Sequence, residues 1–366
     1  MLYFMITALS AIDHMYQYSL DQFMLFFYKS IRESETGANL DERVEHLKNT
    51  LRLVIFTWVS RGLFEEHKLV LLAQLTFQLI VRGKIESEFE PHYFKFLLNP
   101  STDKNETPPP AVGEWLPSPQ WNAVKALAEL DGGEFSALPQ HLEEGASRFR
   151  EWFNHVTPET EKLPLDWSKL EKEPFKKLLV LQCMRPDRLN VAMSNFVRNT
   201  LPNGSAFADC DQTLSSYSVL EQTHIDSKPN TPIYFILSPG ADVVSDLDQH
   251  ATKLGFKKGV SYHNVSMGQG QDKPAEEKLD LAHKQGHWVI LNNVHLMPRW
   301  LVRLEKILDA FQLDNNGEGS HEKFRLFLTS DAAKTIPIGV LNRSIKLTNE
   351  PPTGLRANLK RAFCSF

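Results

Sequence analysis

Between Thr231 and Asn349 the hydrophobic period changes from one short segment to the next, and this change restricts the fold more than any other property of the chain. Apolar, β-rich runs alternate with stretches whose apolar residues recur every three or four positions, the periods of a strand and of a helix. The pattern predicts strands over 232–237, 261–266, 287–292, 324–329 and 344–348, separated by helices over 242–254, 274–285 and 298–312 and a short one over 338–342. Strict alternation of this kind implies an α/β architecture, a mostly parallel sheet with right-handed crossovers and helices on both faces.

In such sheets ligands bind beyond the carboxyl ends of the strands. Ser238-Pro239-Gly240-Ala241-Asp242 leaves the first strand where the phosphate loop of a P-loop NTPase would lie. A working loop follows G-x-x-x-x-G-K-[ST], because backbone N–H groups and one lysine must neutralise phosphate charge. Overlaid from Ser238 to Ser245, the pattern places Val243 at the second glycine and Val244 at the lysine, and no Lys or Arg occurs from Ile233 to Ala251. Trp288-Val289-Ile290-Leu291-Asn292-Asn293 has the outline of a Walker B strand, with amides in place of acids. An Asp at position 292 would hold Mg²⁺, which favours charged oxygen. A Glu at position 293 would activate water, a contribution of roughly 10²- to 10⁴-fold. Asn292 and Asn293 do neither, and they read best as structural partners of the sheet. Thr329 and Ser330 stand where a γ-phosphate sensor would stand, and with the clamp gone Thr329-Ser330-Asp331 is expected to cap the next helix. The expectation is a degenerate site with no catalytic residue, metal or cofactor of its own. The competing enzymatic reading sets Asn292, Asn293 and Ser245 around Mg²⁺. Ser266-Met267-Gly268-Gln269-Gly270-Gln271 lacks the third glycine of a dinucleotide fingerprint and reads as a tight turn, and His295, with no legible partner, reads as structural.

The remainder is helical. Residues 1–98 show helical periodicity, with Glu65 and Glu66 opening one helix and Arg82 closing it. Asn99 to Gly113 is polar and proline-rich and is expected to be a linker. Beyond it, 114–230 is again helical: Ser118-Pro119 looks like an N-cap followed by proline, and helices are expected over 175–184 and 186–201. Trp121, Phe149 and Trp152 are either core or a docking surface for accessory subunits. Residues 355–366 begin another helical pattern, and both ends look cut from something longer. A net charge of −5 and a pI near 6.2 argue against a nucleic-acid binder. The apolar start has no basic lead-in, and the apolar run 69–81 is shorter than the ~20 residues that span a bilayer, so neither a signal peptide nor a membrane segment is expected. Cys183, Cys210 and Cys364 show no metal or disulfide spacing, which suits a reducing cytosol-like compartment.

With these elements in place, the chain resembles the dynein heavy chain family. The resemblance is carried, in order, by Met15-Tyr16-Gln17-Tyr18-Ser19-Leu20, Arg61-Gly62-Leu63-Phe64-Glu65, Met184-Arg185-Pro186-Asp187-Arg188, Ile236-Leu237-Ser238-Pro239-Gly240, Ser266 to Gln271, Gly286-His287-Trp288 through Leu296, and Asn349-Glu350-Pro351-Pro352-Thr353-Gly354-Leu355. It implies the helical lid of a fifth AAA+ module over 1–98, the helical entry of a sixth over 114–230, its P-loop-like core over 231–354, and the start of the next lid over 355–366. It further implies a ring whose first module hydrolyses ATP with Mg²⁺ and whose sixth does not. The partners it implies are neighbouring AAA+ modules, the buttress and stalk coiled coils, a microtubule reached only through the stalk, and dynein intermediate and light chains. The motifs look closer to axonemal than to cytoplasmic forms, which points to a cilium or flagellum.

Overall fold

The computed structural model describes residues 1–79, 91–100, 105–130, 133–201, 203–208, 216–239, 241–312 and 319–350. In chain order the helices are α1 (Leu2–Ala8), α2 (Leu20–Glu33), α3 (Leu40–Ser60), α4 (Glu65–Leu79), α5 (Pro91–Leu98), α6 (Pro110–Gly113), α7 (Ser118–Ala128), α8 (Leu138–Glu144), α9 (Ala146–Asn154), α10 (Pro174–Met184), α11 (Leu189–Thr200), α12 (Gly204–Ala208), α13 (Ser216–Asp226), α14 (Val244–Lys253), α15 (Asp272–Gln285), α16 (Pro298–Gln312) and α17 (Ile338–Arg343). Two compact units form: Met1–Leu71 with Asp209–Phe366, and Leu72–Ala208. The expected segments 1–98 and 114–230 are therefore each divided, at Leu71 and at Ala208. Arg82, Cys210, Gly240, Cys364 and the pattern at 351–366 lie outside the described residues.

The first unit holds a five-stranded sheet in the order β2-β3-β4-β1-β5, parallel throughout. Its strands are β1 (Ile233–Leu237), β2 (Tyr262–Ser266), β3 (Trp288–Asn292), β4 (Arg325–Asp331) and β5 (Ile345–Asn349), each within two residues of the expected span. Ile233 to Ile236 and Trp288 to Leu291 are buried at every position, as parallel strands covered on both faces require. One face packs Trp288, Ile290, Phe327, Ile233 and Phe235 against Val243, Leu247 and Ala251. Gly286 ends α15 in the left-handed region at φ 75°, and a β-carbon there would meet the His321 ring at 2.3 Å. The motif preceding β3 therefore has a packing cause.

Two expectations are corrected here. Thr329-Ser330-Asp331 does not cap the following helix. These residues extend β4 and pair with Phe235, Ile236 and Leu237 of β1, while α17 starts after Pro337 without a side-chain cap. Ser118 is not an N-cap: Trp121 N–H bonds to Pro117 O at 3.0 Å, which closes the first turn of α7 one residue earlier.

The helices before Leu71 are bound to the sheet's β5 edge. Thr348 N–H donates to Arg61 O at 2.8 Å and Thr348 Oγ1 to Leu63 O at 2.8 Å, so the turn after α3 occupies polar groups that an edge strand otherwise exposes. Gly62 makes the approach possible, since a β-carbon there would lie 2.8 Å from Lys346 Cβ and 3.0 Å from Lys346 O. Gly62→Ala is expected to destabilise by about 1–3 kcal/mol through overpacking. Urea unfolding checks this, and an unchanged midpoint would show that the turn is free to move aside.

In the second unit the helices pack around aromatic side chains. Phe135 and Trp167 stack with centroids 5.9 Å apart, and Phe77 meets Phe175 edge-on at 5.2 Å. The described part of the expected linker, 99–100 and 105–113, belongs to this unit, where Pro110–Gly113 forms α6 and Glu106 N–H donates to the buried Asn122 side chain at 2.9 Å. Trp121, Phe149 and Trp152 are buried, so these three rings are core and offer no docking surface.

Candidate functional site

At the carboxyl ends of β1, β3 and β4 the sequence-singled residues assemble as follows. Ser238 and Pro239 leave β1, Gly240 lies outside the described residues, and α14 begins at Val244 with Val243 preceding it. Val243 is 4% exposed and belongs to the core beneath the sheet, while Ser245 is exposed. Three of the loop's N–H groups are engaged internally. Ser238 N–H donates to Asn349 O at 3.1 Å and Ala241 N–H to Ser238 O at 3.0 Å, while Val244 N–H donates to the Asp242 carboxylate at 2.9 Å. Asn349 Nδ2 also reaches Asp242 O at 3.3 Å, which fastens the loop to the end of β5. A phosphate cradle needs such N–H groups free and a positive local field. Here a carboxylate occupies the helix start.

The amide pair forms a local network. Asn292 Nδ2 donates to Asn264 Oδ1 at 2.6 Å, and Asn292 Oδ1 accepts from Thr329 Oγ1 at 3.3 Å. Thr329, 1% exposed, accepts in turn from Asn293 N–H at 3.1 Å. Asn293 sits in the left-handed region at φ 56°, which asparagine tolerates better than most residues. Ser330 is fully buried: Tyr234 Oη lies 2.7 Å from its Oγ, which itself donates to Asp331 O at 2.8 Å, so the phenol donates to the serine. Burial pushes the Tyr234 phenol up. The converging side chains are amides and hydroxyls, groups that neither hold a divalent cation tightly nor accept a proton at neutral pH.

His295 has partners that the sequence did not reveal. Its Nδ1 accepts from Asp331 N–H at 3.2 Å, and its Nε2 lies 3.7 Å from the Asp331 carboxylate. Asn264 and Asn349 were also missed, because their roles come from strand order and register and leave no local motif. Ser266 to Gln271 forms the expected tight turn, with Gln271 N–H bonded to Gly268 O at 3.1 Å and Gly270 at φ 80°. Among the described residues no group of three or more His, Cys, Asp or Glu is placed to hold a metal, and no helix is long and apolar enough to cross a membrane.

Comparison with known proteins places this geometry. Residues 228–348 match the family model described as dynein heavy chain region D6 P-loop domain. The chain is similar to dynein axonemal heavy chain 11 of Sus scrofa, 39% identical over 372 residues, and to dynein axonemal heavy chain 9 of Homo sapiens, 39% over 372 residues. It is also similar to the flagellar outer arm dynein beta chain of Chlamydomonas reinhardtii, 38% over 388 residues. Each match covers 100% of this chain and 8% of the relative, so the chain spans about 8% of the length of the curated relatives it matches. The five-stranded parallel sheet, its flanking helices and full-length similarity of this degree establish that the chain belongs to the dynein heavy chain family, with a P-loop/AAA+ fold in its D6 region.

Proposed function

We propose that this chain is a non-catalytic, force-coupling part of an ATP-driven, minus-end-directed microtubule motor of axonemal type, serving movement of cilia or flagella. Residues 1–98 would act as the lid of a fifth AAA+ module, 114–230 as the helical entry to the sixth, 231–354 as its degenerate core, and 355–366 as the start of the next lid. The observation that carries the reading is the loop after β1. Three of its N–H groups, those of Ser238, Ala241 and Val244, are bonded internally, Asp242 stands at the helix start, and Val243 is committed to the core. Such a module uses no nucleotide or metal of its own and works as a packed body, because packed interfaces switch between discrete arrangements instead of deforming smoothly. ATP and Mg²⁺ then act in other modules of the ring. The bodies it would couple are neighbouring AAA+ modules and the buttress and stalk coiled coils. The microtubule is met only through the stalk, and intermediate and light chains complete the complex, which sits in the axonemal cytoskeleton.

Titration with ATP and Mg²⁺, together with an assay of phosphate release, tests this reading. Binding weaker than about 1 mM without turnover is the expected result. Micromolar binding with turnover abolished by Asn293→Ala would overturn it and establish the enzymatic reading around Asn292, Asn293 and Ser245.

A further inference from the structure

Tyr262 and Trp288 face the core beneath α14, so the next residue along β2, His263, points to the opposite face of the sheet, which α15 covers. There His263 Nε2 lies 3.1 Å from His287 Nδ1, with the ring centres 5.3 Å apart. His263 is 5% exposed and belongs to the edge strand of the sheet. His287 is half-buried and follows the Gly286 turn, and its N–H donates to Ala282 O of α15 at 3.1 Å. The pair therefore ties edge strand β2 to the corner at which α15 turns into β3.

Counting protons shows when this bond holds. Between two neutral rings one nitrogen donates and the other accepts, and a single charged ring still donates to its neutral partner. With both rings charged, two N–H groups face each other across 3.1 Å and the contact turns repulsive. The charged and titratable groups that act on the pair from the neighbouring elements are Lys278 of α15 and His321 of the loop before β4, and both are basic. Burial pushes both rings below the usual histidine range. Lys278 and the partner ring add to this for His263, and His321 and Lys278 add to it for His287.

We infer that the His263–His287 pair is an acid-sensitive latch, which fastens edge strand β2 to β3 and α15 while at most one ring is charged and releases it when both are. The latch is independent of the nucleotide chemistry of the D6 core. Unfolded, the two rings take up two protons below their ordinary value of 6.5, whereas the folded pair resists the second, so the closed form loses stability as pH falls below 6.5. Hydrogen exchange on the whole chain from about pH 7.5 to about pH 5, corrected for intrinsic rates, provides the test. The Met267 and Trp288 amides, bonded to Asn292 O at 2.8 Å and Ser261 O at 2.9 Å, report on the β2–β3 ladder, and the Ile345 amide, bonded to Pro232 O at 2.9 Å, is the reference at the β5 side. The ratio of ladder to reference protection should fall about ten-fold between about pH 6 and about pH 5. His287→Asn offers a charged His263 an amide oxygen, and His263→Gln does the same for a charged His287, so either variant should limit the fall to about three-fold or less. His224 and His250, which surround Trp288 on the other face and are also pushed down by burial, stay in place in both variants, so a fall that they cause would persist. Either variant serves alone if the other shifts the thermal unfolding of the chain at about pH 7.5. A wild-type ratio that stays constant over this range, or a fall undiminished by the substitutions, would overturn the inference.

Discussion

Replacing Arg188 with alanine is expected to destabilise the second unit by about 3–5 kcal/mol, because it strands a buried carboxylate. The Glu159 side chain is 3% exposed, and Arg188 meets it with both arms of its fork, Nε to Oε2 at 3.0 Å and Nη2 to Oε1. Burial pushes the Glu159 carboxyl up, and the hydrogen bonds and charge of Arg188 more than reverse this, holding it below the usual carboxylate range. A depressed carboxyl contributes stability above its ordinary value of 4.5 and loses it as pH falls through the folded value, so wild type and variant should converge in acid. Arg185→Ala should cost less. Its partner Asp187 is 59% exposed, and the main loss is the guanidinium's bond to Phe153 O, about 1 kcal/mol. Hydrogen exchange of the α9–α11 amides localises the effect. The double variant Glu159→Gln with Arg188→Met should recover most of the loss, since it removes both charges. A single Arg188→Ala variant with wild-type exchange would show that water replaces the fork.

The same motif shows what the sequence discloses and what it hides. Met184 to Arg188 is legible as a family signpost, yet nothing within it names Glu159, which lies 29 residues away and reads as one acid among several. The strands β1 and β3 are legible because both of their faces are covered, which leaves apolar residues at every position except Asn292 at the end of β3. The end of β4 is not. Thr329, Ser330 and Asp331 look like loop, and only their pairing with β1 makes them strand. The candidate site divides in the same way. The missing lysine and the amides at positions 292 and 293 are chemical absences visible in the sequence. Asn264 belongs to no local motif, and only strand order, which sets β2 beside β3, brings its side chain within 2.6 Å of Asn292. The division into units was hidden for the same reason, since contacts such as Lys29 with Asp226 join residues 197 apart.

Lys346 is the least expected of these long-range groups, and Lys346→Ala is expected to cost about 3–5 kcal/mol. It sits on edge strand β5 and is 1% exposed, with Nζ donating to Leu341 O at 3.0 Å, to Ser344 O at 3.2 Å and to Gln17 O, and lying 4.2 Å from the centre of the Tyr18 ring. Three donors meet three carbonyls, so alanine leaves a cavity and three acceptors without partners. The signature that sets Lys346 apart from ordinary packing is its pH dependence. Burial pushes its pKa from 10.5 down to about 7, so below pH 7 both folded and unfolded chains carry the proton and the folded state bears the full penalty of a desolvated charge. Between pH 7 and 10.5 only the unfolded chain stays protonated, and stability should rise with pH by about 1.4 kcal/mol per unit. Lys346→Met, which keeps the volume and lacks the charge, should lose that slope while retaining more stability than alanine. Exchange of the Thr348 amide, bonded to Arg61 O, should quicken in both variants, because Lys346 holds the Gln17 segment against the strand that carries this bond. A wild-type minus Met difference that stays flat from pH 7 to 10 would mean that the carbonyls and the ring solvate the ammonium as well as water does. The helical segment would then be held to β5 by Gly62 and Thr348 without a contribution from this charge.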